Sequence, residues 1–158
     1  MKGLEDSQVS QIGMYILDKN KEEENKIINT YLGIPYINAG RNKRAFDCWG
    51  LILDIFKNRN INLFDLADEE TYSKLWVLDG DKNYLEKYKT KIDWEEVEVP
   101  KFLDIIIFKN CRNIPNHAGV YLSGNRFIHC KDGAGVVINS INKSYKARIF
   151  KIYRIKGR

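Results

Sequence analysis

"GRNKRAFDCWGLILDIF", residues 40–56, is the stretch on which the reading of this chain turns. Asp47 is a residue type that caps helices, because its side-chain oxygen can accept from N–H groups that the first turn leaves unpaired. Cys48 falls in that first turn, and Leu51, Ile52, Ile55 and Phe56 then recur at helical spacing. The spacing predicts a helix that starts at Asp47, turns one apolar face to a core and ends at residues 58–60. It also places a thiol at the positive end of that helix, where the dipole and free N–H groups favour thiolate.

Upstream, residues 22–32 put Ile27, Ile28, Tyr31 and Leu32 at helical spacing ahead of Gly33, a helix stop. Pro35 then predicts an extended segment over residues 36–40. Downstream, residues 61–103 are rich in Asp, Glu, Lys, Tyr and Trp, with helices predicted over 69–77 and 84–89 and a turn at 79–81. This segment carries no run suited to a central strand and reads as an elaboration between two halves of a fold. The last third differs: "LDIIIFK", "HAGVYLS", "RFIHC", "GVVINSI" and "RIFKIYRI" are short β-branched or aromatic runs separated by Gly, Asn, Lys and Asp. They predict an antiparallel meander. Helices first and strands afterwards make an α+β fold, a single domain over residues 1–158 with the sheet packed on the cysteine helix.

Composition narrows the function classes. The chain has 158 residues, 44% hydrophobic and 30% charged, and a formal net charge of +5. That is enough to bury a core without staples. Lys and Arg are interspersed with Asp and Glu, and no basic stripe is interleaved with aromatic residues, which argues against a nucleic-acid partner. "MKGLEDSQVSQ" is acidic and polar where a leader would be basic and then apolar, and no run reaches the length of a membrane span. The expectation is a chain made in the cytoplasm without an ordinary leader. Three cysteines, an odd number, read as free thiols rather than a disulfide framework. No C-x-x-C or H-x-x-x-H spacing supports zinc, so no metal is expected.

The two histidines, His117 and His129, both lie in the strand region, and loop length decides whether they meet. A two-residue turn at Gly124 and Asn125 would set Val120 opposite His129 and send the imidazoles to opposite faces. A three-residue loop, 123–125, sets Gly119 opposite His129 and puts His117, Gly119, Tyr121, Phe127 and His129 on one face. A glycine or asparagine in the left-handed position suits such a loop, and Gly119 leaves the imidazole room, so the three-residue loop is the reading adopted. A thiol at a helix start, one histidine beside it as base and acid, and a second polar group to orient that histidine form the constellation of papain-like cysteine peptidases. The cysteine's own N–H can face a developing oxyanion.

The residues also resemble a named group. "YLGIPYINAGRNKRAFDCWGL", "DIIIFK" and "HAGVYLSGNRFIHCKDGAGVVINSI" are similar to the NlpC-type cell-wall cysteine peptidases, with their Gly-(x)-Pro-Tyr segment, Asp-Cys-x-Gly helix start, Gly-Asp-(apolar)-Phe strand and His-(apolar)-Gly-(apolar)-Tyr strand followed by a second histidine. The likeness spans roughly residues 27–140 apart from the middle elaboration. It implies a papain-like fold with Cys48 as nucleophile, His117 as general base and acid, and His129 as the orienting third residue. It implies a substrate-side set of Tyr36, Asp47 and Trp49, with Tyr36 donating to the oxyanion and Asp47 near the substrate's polar end. The implied reaction is hydrolysis of amide bonds in peptidoglycan stem peptides, at the γ-D-glutamyl–diamino acid bond, with no cofactor.

Three departures stand out. Trp49 replaces the usual Ser after the cysteine, Ile37-Asn38-Ala39-Gly40 replaces an aromatic-Gly-Gly run, and Leu103 stands where Gly usually precedes Asp104. "DCWGL" resembles the branch found in tail-tip proteins of phages and their prophage relatives, which makes a tail-tip protein an expected partner and a virion tail acting at the wall an expected location. Two other classes compete: a papain-like acyltransferase or amidase on another substrate, and a non-catalytic tail-tip component that keeps the fold. The first usually carries its histidine ahead of the cysteine and a membrane-anchoring segment; an intact Cys, His and His argue against the second. Taken singly, Cys48 would be a core residue, Asp47 a cap and Trp49 a packing anchor. Cys111 and Cys130 keep that plain reading.

Overall fold

In the computed structural model, which describes residues 6–65 and 93–157, the helix expected over 22–32 is the end of a longer α1 (Asp6–Tyr31). Its buried residues, Glu24, Ile27 and Tyr31, all lie in the C-terminal part. Val9, Ile12, Met14, Tyr15, Ile16 and Leu17 remain exposed, so the first half lacks the one-sided burial that would have marked it in the sequence. Gly33, at φ +84°, ends the helix, and its N–H donates to Val136 O at 2.9 Å. The Pro35 segment follows as an extended stretch in which Tyr36 bridges Phe46, and a small hairpin, β1 (Arg41–Asn42) and β2 (Ala45–Phe46), leads into α2 (Cys48–Lys57). That hairpin was not expected; strands of two residues carry too little pattern to read.

Helix α2 starts at the predicted cap and stops at Asn58. It buries Trp49, Leu51, Ile52, Ile55 and Phe56, each worth about 1.5–3 kcal/mol of transfer free energy. The glycine of Asp-Cys-x-Gly has a steric reason. A Cβ on Gly50 would lie 1.9 Å from the Gly40 carbonyl oxygen, so only glycine lets the hairpin pass across the first helical turn.

Six antiparallel strands form the sheet: β3 (Trp94–Glu96), β4 (Ile105–Lys109), β5 (Pro115–Leu122), β6 (Arg126–Lys131), β7 (Gly135–Ser140) and β8 (Ile149–Ile155). Their spatial order is β3-β8-β4-β5-β6-β7. This corrects the meander. A short helix α3 (Lys143–Arg148) turns the chain back after β7, and β8 pairs with β4 and β3 instead of extending the far edge. β3 lies within the 61–103 segment but at the sheet edge, as three residues there can. The helices expected over 69–77 and 84–89 and the turn at 79–81 lie outside the described residues.

Period-two alternation divides the core between the two faces of this sheet. Ile105, Ile107, Ala118, Val120, Leu122, Ile128 and Cys130 pack on the α2 side with Leu51, Ile52 and Ile55. Ile106, Phe108, Phe127 and Ile152 form a second cluster on the other side, covered by Tyr145 of α3. No helix among the described residues is long and apolar enough to cross a membrane.

Candidate active site

The β5–β6 hairpin has the three-residue loop. Leu122 pairs with Arg126, Tyr121 with Phe127 and Val120 with Ile128, while Gly124 and Asn125 take φ of +66° and +58°. Continued by one residue, this register sets Gly119 opposite His129, and a Cβ on Gly119 would lie 3.2 Å from that of His129. His117 and His129 therefore share a face, and their rings meet: His117 Nε2 lies 2.6 Å from His129 Nδ1. The loop is held from outside by buried Glu24 of α1, whose carboxylate accepts from Ser123 N–H at 2.9 Å and from the Arg126 guanidinium.

The imidazoles sit on the face with Phe108, Phe127 and Tyr145, opposite the face on which α2 packs. The β5–β6 ladder stops at Val120–Ile128 although β5 begins at Pro115, so the lower part of β5 is open on that side. There the backbone N–H groups of Ala118, the residue after His117, and of Trp49 bear on the Cys48 sulfur and favour its ionised form. The thiol thus lies against strand β5 at the residue that follows His117.

Their electrostatics differ from the sequence expectation. Burial, followed by the Asp47 carboxylate, pushes the Cys48 thiol up to about 12, against a smaller opposing pull from the Ala118 and Trp49 N–H groups. Burial, then His129, Arg148 and Lys131, brings His117 down to about 3. His129 is lowered by burial and partly restored by its bond to Asn139. Desolvation here opposes the thiolate that the helix start favours.

Tyr36 is half-buried beside the thiol; burial and Cys48 push its phenol up to about 12, so it stays a donor, and its hydroxyl has no partner among the described residues. It lines a cleft with Gly33, Pro35, Gly133, Ala134 and Gly135. Asp47 and Trp49, expected on the substrate side, are both anchored within the fold. Asp47 is 2% exposed, and its oxygens accept from Gly50 N–H at 2.7 Å, Ala39 N–H at 3.0 Å and Arg41 Nη1 at 2.7 Å. It is a cap and an anchor for the hairpin. Trp49 is 4% exposed and donates its indole N–H to Phe64 O at 3.0 Å, so it packs. Cys130 is buried with its thiol on Phe46 O, and Cys111 is exposed in a loop. No group of three metal-ligating side chains occurs among the described residues.

One member of the constellation escaped the sequence reading. Asn139 of β7 places Oδ1 2.8 Å from His129 Nε2. The signal was available: Lys131 pairs with Gly135 across another three-residue loop, so Phe127 opposes Asn139, on the face that His129 shares. The loop counting applied to one hairpin was not carried to the next.

Known proteins share this arrangement of chain. A probable endopeptidase NlpC homolog of Haemophilus influenzae is 25% identical over 78% of this chain and 56% of its own length. The murein DD-endopeptidase MepS/murein LD-carboxypeptidase of Escherichia coli is 25% identical over 96% of this chain and 73% of its own. This chain thus spans little more than half of the first of these relatives. A crystal structure of an NlpC/P60 family protein from Bacillus cereus superposes with a TM-score of 0.59 at 22% identity, covering 84% of this chain and 40% of that one. The model of the NlpC/P60 family matches residues 33–154, a span that holds the Pro35–Tyr36 segment, the Cys48 helix and both histidine strands; the chain belongs to the NlpC/P60 family.

Proposed function

We propose that this protein is a cysteine peptidase that hydrolyses amide bonds in peptidoglycan stem peptides, at the γ-D-glutamyl–diamino acid bond, and that it works at the bacterial wall as part of a phage or prophage tail. The observation that supports the chemistry is the contact of His117 with His129, on the strand whose Ala118 N–H bears on the Cys48 thiol. The wall substrate is supported by the relatives named as endopeptidases and a murein endopeptidase. The tail setting rests on "DCWGL" alone.

In this reading His117 takes the Cys48 proton as the sulfur attacks the substrate carbonyl, so thiolate need form only with substrate in place. The oxyanion accepts from the Cys48 N–H and the Tyr36 hydroxyl. The imidazolium of His117 then protonates the leaving amine, the C–N bond breaks, and a thioester remains. Water, deprotonated by His117, attacks the thioester and releases the carboxylate and the thiol. Purified muropeptides of several chemotypes, digested and read by mass spectrometry, should give products cleaved after D-glutamate with wild type and none with Cys48→Ala. No release by wild type from any chemotype would favour the non-catalytic tail component.

A further inference from the structure

We infer that Asn139 is a positioning residue that sets the proton on each ring of the histidine pair and thereby leaves His117 Nδ1 as the base. The inference rests on the catalytic reading of His117. An amide oxygen can only accept, so Asn139 Oδ1 at 2.8 Å requires the proton of neutral His129 on Nε2. His129 Nδ1 is then an acceptor, and the 2.6 Å contact requires His117 to carry its proton on Nε2. His117 Nδ1 is left with a lone pair. Without Asn139, either nitrogen of His129 can hold the proton, and the arrangement with Nδ1–H pointing at His117 would force the His117 proton onto Nδ1, which cannot take one from a thiol.

The surroundings support this assignment. The Tyr145 hydroxyl lies 3.5 Å from the same Asn139 oxygen and can donate to it. Tyr145 also packs edge-on over His129 and Phe127, closing this face of the pair. Among the described residues the charged groups that bear on the pair are Lys131 of β6 and Arg148 of α3, both cationic.

The test reads tautomers directly. The protein has two histidines, so 15N-edited spectra of histidine-labelled protein at pH 7.5, assigned with His129→Gln, resolve all four ring nitrogens. Wild type should show protonated Nε2 and bare Nδ1 on both rings, and Asn139→Ala should show mixed protonation at His129. Asn139→Asp, which keeps an acceptor, should restore the wild-type pattern. On muropeptides kcat should fall about 10- to 100-fold in Asn139→Ala with KM unchanged, the range typical for losing a partner that orients a functional histidine, and recover in Asn139→Asp. A protonated His117 Nδ1 in wild type, or an unchanged pattern in Asn139→Ala, would overturn the assignment. The spectra require no turnover, so absence of peptidase activity would count against the catalytic reading alone.

Discussion

Cys48 shows how one residue's setting can oppose what its position implies. A first-turn cysteine is a thiolate site by helix electrostatics, yet burial and Asp47 push this one up to about 12. Asp47 cannot be removed to relieve this, because the same carboxylate caps the helix and holds Arg41 and the Ala39 N–H. A thiol raised by burial has a kinetic signature. Alkylation of Cys48 by iodoacetamide should rise steadily with pH through the alkaline range and at pH 7 should run slower than at exposed Cys111. Mass mapping of the three cysteines across pH provides the measurement. A plateau extending below neutrality would instead mean a thiolate–imidazolium pair, with the helix end and the Ala118 and Trp49 N–H groups prevailing over burial.

Among the elements, the β5–β6 hairpin carries the most consequence, since its register puts both imidazoles on one face. Two features hold it: Glu24 clamps the loop from α1, and Gly119 lets the strands close. A Cβ at residue 119 would meet Phe127 Cδ2 at 2.9 Å, Ile128 O at 3.0 Å and His129 Cβ at 3.2 Å. One of these contacts is backbone and cannot rotate away. Gly119→Ala should therefore cost about 1–3 kcal/mol in urea unfolding, the usual range for overpacking, and should lower peptidase activity more than tenfold by moving His129. Wild-type activity in a destabilised Gly119→Ala would show that the position of His129 tolerates movement. The other left-handed residues tell a related story. Leu103 sits at φ +69°, the place where the family resemblance has glycine, so the backbone shape persists although the residue suited to it does not.

For the molecule as a whole, two neutral imidazoles held inside the fold make stability depend on acid. His117 lies at about 3 against an ordinary 6.5, and His129 is also lowered. Below pH 6.5 the unfolded chain takes up protons that the folded chain refuses. The contribution of these groups is thus complete above 6.5 and is lost as pH falls toward 3. Urea midpoints should drop across that window with a slope approaching about 1.4 kcal/mol per pH unit from His117, and His117→Gln should flatten the slope; equal slopes would place the acid sensitivity elsewhere. The α+β order, the cysteine helix with its Asp47 cap, five of the six main strands and the loop that joins the histidines were all legible in the sequence, because periodicity, capping and loop length act over a few residues. Tertiary structure decided the rest. The return of β8 to β4, the burial of Asp47 and Trp49 and the desolvation of Cys48 and His117 all depend on which distant surfaces meet. Desolvation is a property of that packing, and no local pattern of residues encodes it.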